Sequence, residues 1–136
     1  MADPRAFISF DFDHNEGQKN YFVGQARNSR TPFNIQDWSS KEEVTQSRWK
    51  EIIEEKLKRC NLMIVLVGKS MSTATGVLRE VEMAQKNDVP FFGVYVDGAN
   101  SSSILPSGLQ RNRVIPWTWE GIAEMISQMM KEGKNR

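Results

Sequence analysis

The sequence has little of the chemistry that disulfides, metal centres and membrane spans require. Its 136 residues include one cysteine, Cys60, and one histidine, His14. A single cysteine cannot form an internal disulfide, and these two residues do not make a recognisable metal-ligand set, so we predict no metal site. No apolar run approaches the ~20 residues of a spanning helix, and the start of the chain does not read as a secretory signal. We therefore expect a cytoplasmic protein with no membrane contact.

An excess of charge of one sign and the glycine motifs of nucleotide binding are also missing. Lys and Arg number 18 against 17 Asp and Glu, a formal net charge of +1. Nucleic-acid binders usually show a clustered basic excess, so we predict no nucleic-acid partner. Neither GxGxxG nor GxxxxGK[ST] occurs, which leaves dinucleotide or triphosphate binding in those two modes without support.

The apolar pattern predicts strands that alternate with helices. Residues 61–68 form a continuous apolar run that ends in glycine, which is typical of a strand buried on both faces. We predict strands at 6–10, 33–37, 61–68, 90–96 and 113–117, separated by helices, with a surface loop at 97–112 whose Arg111 and Arg113 are ordinary loop charges. This alternation predicts one domain over residues 1–136, of the α/β class, with a flavodoxin-like three-layer architecture and a central parallel five-stranded sheet.

The carboxyl ends of the strands are where an open parallel sheet binds ligands. After the first strand, the segment 11–17 carries three carboxylates and His14. Loops that cradle phosphate use backbone amides, glycines and hydroxyls, so these acids disfavour a flavin phosphate there. A phospho-accepting receiver domain would have an aspartate after the central strand, where this chain has Gly68 and Lys69. We therefore reject both of these relatives of the fold.

Several short motifs resemble those of TIR-family domains. Phe7-Ile8-Ser9-Phe10 resembles the family's first-strand signature, and residues 33–38, Phe-Asn-Ile-Gln-Asp-Trp, resemble its second strand and the loop that follows. Residues 62–70 resemble its third strand and following turn, and residues 90–96 its fourth strand. The chain is most similar to the divergent TIR-like branch that includes the ThsB proteins of Thoeris anti-phage systems.

This resemblance implies an enzyme that cleaves the bond between nicotinamide and ribose in NAD. Enzymatic members use a glutamate on the helix after the third strand, and Glu80 stands at that position. The family's tryptophan four residues earlier is replaced by Gly76, and Glu82 is a rival carboxylate about 200° round the helix. NAD would be the substrate, and no cofactor is implied. The resemblance and the strand ends together suggest these substrate-binding residues: Ser9, Phe10, Asp11, Asp13, Asp37, Trp38, Lys69 and Ser70.

The sequence leaves alternatives open for these residues and for the function. Asp11 and Asp13 can serve as turn and cap residues, Trp38 can seal its loop against the core, and Ser70 can cap a helix. The product can be linear or cyclic ADP-ribose, acting on an effector protein as a diffusible nucleotide, and self-association through TIR-like surfaces is expected. The alternative function is a non-catalytic interaction module that signals by assembly. A small nucleotide-binding regulator of the same fold lacks any positive motif.

Overall fold

The computed structural model describes residues 5–11, 17–24, 34–38, 46–69, 71 and 74–132. For residues 34–38, 46–50 and 75 it describes the backbone alone. The site residues Asp13 and Ser70 lie outside these ranges, so the predictions about them stay predictions.

A five-stranded parallel sheet forms the centre of the fold. Its strands are β1 (Arg5–Ser9), β2 (Asn34–Trp38), β3 (Leu62–Val67), β4 (Phe91–Tyr95) and β5 (Val114–Ile115). They lie in the order β2-β1-β3-β4-β5, and every neighbouring pair is parallel. This is the flavodoxin-like strand order, in which the direction of winding reverses between β1 and β3. The predicted fold class is confirmed.

Helices cover both faces of the sheet. They are α1 (residues 17–24), α2 (Gln46–Arg59), α3 (Thr75–Lys86) and α4 (Trp119–Glu132). On one face, Phe22 of α1 and Ile122 of α4 pack in a core with Ile8 of β1. On the other face, α2 and α3 pack in a second core that includes Phe7. Because side chains alternate along a strand, β1 supplies residues to both cores in turn.

The central strand behaves as its apolar run predicts. All six residues of β3 are buried, and the strand pairs with β1 on one side and β4 on the other. Full burial of each large aliphatic side chain contributes about 1.5–3 kcal/mol. Because β3 also sits beside the point where the strand order reverses, its rigidity fixes the ends of its neighbours.

The segment between β4 and β5 is more than the surface loop that the sequence predicts. Leu109 is buried in the core beneath α2 and α3. Gly93 of β4 makes this possible, since a Cβ atom there would lie 3.1 Å from Leu109 Cδ2. Residues 111–113 form a short 3-10 helix that leads into β5. The apolar residues of this segment, Ile104, Leu105 and Leu109, follow no regular period and so gave little indication of this contact.

The prediction that Arg111 and Arg113 are ordinary loop charges was wrong. The Arg111 guanidinium donates to the backbone carbonyls of Ser101 and Ser103, and so ties the loop together. Arg113 Nη2 donates to Glu132 Oε1 at 2.7 Å, joining the start of β5 to the end of α4. The carbonyl and carboxylate acceptors come close only in the folded chain, so local sequence could not indicate them.

Helix ends and surface features complete the fold. Thr118 caps α4, because its Oγ1 accepts a hydrogen bond from the Gly121 N–H at 3.2 Å. The residue before α3 is Ala74, which has no side-chain capping bond. Among the helices described, none is both long enough and apolar enough to cross a membrane. The described ranges also bring together no group of three or more potential metal-ligating His, Cys, Asp or Glu residues.

Candidate functional site

A hydrogen bond joins the end of β1 to the middle of α3. Ser9 Oγ donates to Glu80 Oε1 at 2.6 Å, between residues 71 positions apart in the chain. Ser9 is 0% exposed and Glu80 1% exposed. Contacts of this length between a hydroxyl and a carboxylate are typical of charge-assisted hydrogen bonds. Burying a carboxylate is costly unless it is hydrogen-bonded, so this bond offsets part of the cost.

The periods of the helix and the strand explain why these two residues meet. Val77, Val81 and Ala84 form the buried stripe of α3, and position 80 falls within that stripe. Ser9 shares a strand face with Phe7, the face that α3 covers. Glu80 therefore points under the helix towards the sheet. Glu82, the rival carboxylate, is exposed on the other side of α3.

The Ser9–Glu80 pair lies where the sheet is expected to bind ligands. Ser9 is the last residue of β1, and its register partner in β3 is Val65. The order of strands reverses between these two strands, and ligands of open α/β sheets bind outside the carboxyl ends of strands at such a point. Glu80 therefore reaches this rim from beneath α3, and its burial there was not predicted from the sequence.

The other predicted residues at β1 and β2 lie around the same rim. Phe10 and Asp11 directly follow β1 and are both buried. Lys19 of α1 lies within cation–π distance of Phe10, with its Nζ 5.4 Å from the centroid of the ring. Asp37 and Trp38 end β2, and they pair in register with Phe7 and Ile8, the two residues before Ser9 in β1. Their backbones are therefore brought to the same end of the sheet.

Lys69 lies one strand further along this edge. It follows β3, and its side chain is exposed. A Cβ atom built at Gly98 would lie 3.1 Å from Lys69 Cε, so the lysine stem rests against the turn after β4. The ammonium group is thereby placed at the carboxyl end of the sheet, where a cation can bind phosphate as a point charge.

Gly76 leaves space beside Glu80. It lies one helical turn before Glu80 on the same side of α3 and is exposed. Within the described part of the chain, no heavy atom lies within 4 Å of the position that its Cβ would take. The rim beside the carboxylate is therefore uncrowded at this end of α3.

A second charged region lies apart from Glu80, on the outer surface of α2 and α3. Glu54 accepts a hydrogen bond from Asn87 Nδ2 at 3.2 Å and pairs with Lys86 Nζ at 3.4 Å. The hydrogen bond from Asn87 is the largest cause that lowers the pKa of Glu54, with Lys86 adding to it against the opposing effect of desolvation. This cluster links two helices. Its acceptor and donor are 33 positions apart, so no local sequence pattern indicates it.

The arrangement around Glu80 places one carboxyl group where burial excludes solvent, and in its ionised form this group carries a negative charge. Such a charge stabilises a cation that develops next to it far more than an exposed carboxylate does. The 1% exposure of Glu80 has a second consequence. A bound sugar can contact the carboxylate only after the residues that cover it have moved aside.

Comparison with known proteins identifies relatives of this fold. A family model described as Thoeris protein ThsB, TIR-like domain, matches residues 7–101, a range that contains both Ser9 and Glu80. No curated protein matches the chain significantly. Among solved structures, a prokaryotic SEFIR domain is similar with a TM-score of 0.56 and 14% identity, over 95% of this chain and 91% of that one. The TIR domains of the activated Roq1 resistosome are similar with a TM-score of 0.48 and 20% identity, over 75% of this chain and 61% of that one.

Proposed function

The chain belongs to the TIR-like domain family of Thoeris protein ThsB, and from that premise we propose that it cleaves NAD as an NAD glycohydrolase or ADP-ribosyl cyclase. Its product would be an ADP-ribose-derived signal in anti-phage defence. The observation that carries this proposal is the Glu80 carboxylate, held by Ser9 at the reversal point of the sheet. Family membership supports a role in defence signalling, and the carboxylate supports the chemistry.

The proposed reaction needs little more than one carboxylate. The bond from ribose C1′ to the nicotinamide nitrogen breaks, and both electrons leave with nicotinamide, which departs neutral and needs no general acid. Positive charge then develops on the ribose, and Glu80 stabilises it as carboxylates do in glycoside hydrolysis. Attack by water at C1′, with loss of a proton, gives linear ADP-ribose. Attack by the adenine or a ribose hydroxyl of the same molecule gives a cyclic product.

Binding of NAD would have to open the site. Because Glu80, Phe10 and Asp11 are all buried, the substrate reaches them only when their cover moves. Lys69 is exposed at the same rim and is available to bind the pyrophosphate first. We propose that binding energy from this remote part of NAD drives the opening, a use of binding energy that is general among enzymes. Self-association and an effector reached through the diffusible product belong to the same proposal.

The burial of Glu80 also favours a second candidate function. A carboxylate with 1% exposure, bonded to the sheet, can act as a structural link between α3 and β1. Gly76 stands where the resemblance places a tryptophan in enzymatic members. In this case the chain is a non-catalytic TIR-like module that signals by assembly.

Two glutamates on one helix provide a matched test. The purified protein, Glu80→Gln and Glu82→Gln are incubated with NAD, with and without infected-cell lysate, and the products are separated by chromatography. We expect nicotinamide release by the wild type and by Glu82→Gln, whose carboxylate is exposed, and at least a 100-fold loss for Glu80→Gln, as for other lost transition-state charges.

Two results would decide against this proposal. Full activity of Glu80→Gln would remove Glu80 from the reaction. A wild type that is folded, self-associated and silent both with and without lysate would support the assembly module instead. Circular dichroism and size-exclusion chromatography on each variant establish folding and association.

A further inference from the structure

The Ser9 hydroxyl is placed to hold Glu80 rather than to bind substrate. We infer that Ser9 is a positioning residue, which fixes the Glu80 carboxylate through the 2.6 Å hydrogen bond from its Oγ. This inference rests on the proposed function. It differs from the sequence-based expectation of a substrate contact, because the Ser9 hydroxyl donates its proton to Glu80 Oε1.

The donor is more rigid than the acceptor. Ser9 has one rotatable bond between its backbone and Oγ, and β1 pairs with a strand on each side. Glu80 has three such bonds and belongs to a helix that packs on the sheet through apolar side chains. A hydrogen bond from a fixed strand to a flexible carboxylate therefore determines where the carboxylate lies. Supporting hydrogen bonds from a rigid element are what keep reactive groups within about 0.5 Å of a productive position.

A serine suits this task because it is neutral. An arginine or lysine at position 9 would hold the carboxylate equally well but would cancel the negative charge that must stabilise the ribose cation. The hydroxyl supplies direction and leaves the charge in place. Displacing a reacting group by about 1 Å can cost as much as 10²-fold in rate, so the loss of such a donor is measurable.

The test compares the rates of serine variants. For Ser9→Ala we expect kcat for NAD to fall by about tenfold or more, the size expected for one hydrogen bond to a charged group, with KM changed by less than about twofold. Ser9→Thr keeps the hydroxyl and should recover most of kcat. Ser9→Cys, a weak donor of nearly serine's size, should give an intermediate kcat. It serves as the second rescue variant in case threonine's extra methyl group disturbs the core. Ser102→Ala, at an exposed serine of the loop after β4, is the matched control.

The outcomes separate this inference from the proposed function. A raised KM with unchanged kcat would identify Ser9 as a substrate contact, and an unchanged or increased kcat in Ser9→Ala would show that the bond does not position the reacting group. Either result overturns the inference alone, provided that Glu80→Gln is inactive. If the folded and associated wild type releases no nicotinamide, the proposed function and the inference both fail. Thermal unfolding of each variant shows whether a lost rate reflects a lost fold.

Discussion

Replacing both partners of the Ser9–Glu80 bond by apolar side chains tests whether the fold needs the carboxylate. Ser9→Ala removes the donor and leaves a buried carboxylate with one hydrogen bond fewer. Glu80→Met removes the charge at nearly constant length and leaves the hydroxyl without this acceptor. The double variant removes both polar groups together, so the buried contact becomes apolar on both sides.

The expected free energies of unfolding differ between the single and double variants. Ser9→Ala should destabilise the protein by about 1–3 kcal/mol, the cost of leaving a buried polar group unsatisfied. The double variant should lie within about 1 kcal/mol of the wild type or above it, because apolar replacement of a buried polar pair is often neutral or stabilising. The two changes are then non-additive, with a coupling energy of about 0.5–3 kcal/mol, the range usual for residues in contact.

The wild type, the two single variants and the double variant form a double-mutant cycle, which urea denaturation measures. If the free energy of unfolding falls with urea at the same slope in all four proteins, only stability has changed. A double variant at least as stable as the wild type would mean that the fold does not require Glu80. The reasoning is refuted if the double variant is about 3 kcal/mol or more below the wild type. That result would make the carboxylate a structural link and favour the assembly module.

Three further changes test the fold around the site. Gly93→Ala should lower the free energy of unfolding by about 1–3 kcal/mol, since its Cβ would lie 3.0–3.1 Å from three side chains. Gly76→Ala should raise it by about 0.5–1 kcal/mol, because alanine favours the helix more than glycine does. Urea midpoints of the two variants that shift in the same direction would contradict this. Arg113→Ala should lower the free energy of unfolding by about 1–2 kcal/mol because its partly buried pair with Glu132 is lost, and a melting temperature that does not change would contradict the role assigned to this pair. The pKa of Glu54 is lowered, so its carboxylate stabilises the fold above pH 4.5 and this stabilisation is lost as the pH falls below that value. The melting temperature of the wild type should therefore exceed that of Glu54→Gln above pH 4.5, and the difference should shrink at lower pH. A constant difference down to about pH 3 would contradict this.

The sheet could be predicted from the sequence because its strongest features are local. The apolar run of β3 identifies a strand buried on both faces, and the alternation of strands with helices leads to a parallel sheet. Thr118 was recognisable as a cap because the capping bond spans three residues. The contacts of Arg113 and Leu109 were not predictable in this way, since their partners come from distant parts of the chain.

The residues of the candidate site were proposed from the sequence, whereas their geometry was not. Glu80 was identified through the resemblance, whereas its burial could have been read from the stripe of Val77, Val81 and Ala84, into which position 80 falls. Alternation with Phe7 likewise places Ser9 on the face that α3 covers. The two periodicities together suggest that Ser9 and Glu80 face each other. The hydrogen bond itself depends on how α3 lies on the sheet, which no local pattern specifies.

A buried glutamate at this position is not what packing alone would select. An apolar residue at position 80 would complete the stripe of α3 without any cost of desolvation, and the helix is already held to the sheet by Val77, Val81 and Ala84. The carboxylate instead lies at the one edge of the sheet where this topology binds ligands, held by a neutral donor that leaves its charge intact. Costly polar groups at such places are commonly retained for function at the expense of stability. If the chain cleaves NAD as proposed, the cover over Glu80 must move before the ribose reaches it, so binding and exposure of the carboxylate would be one coupled step.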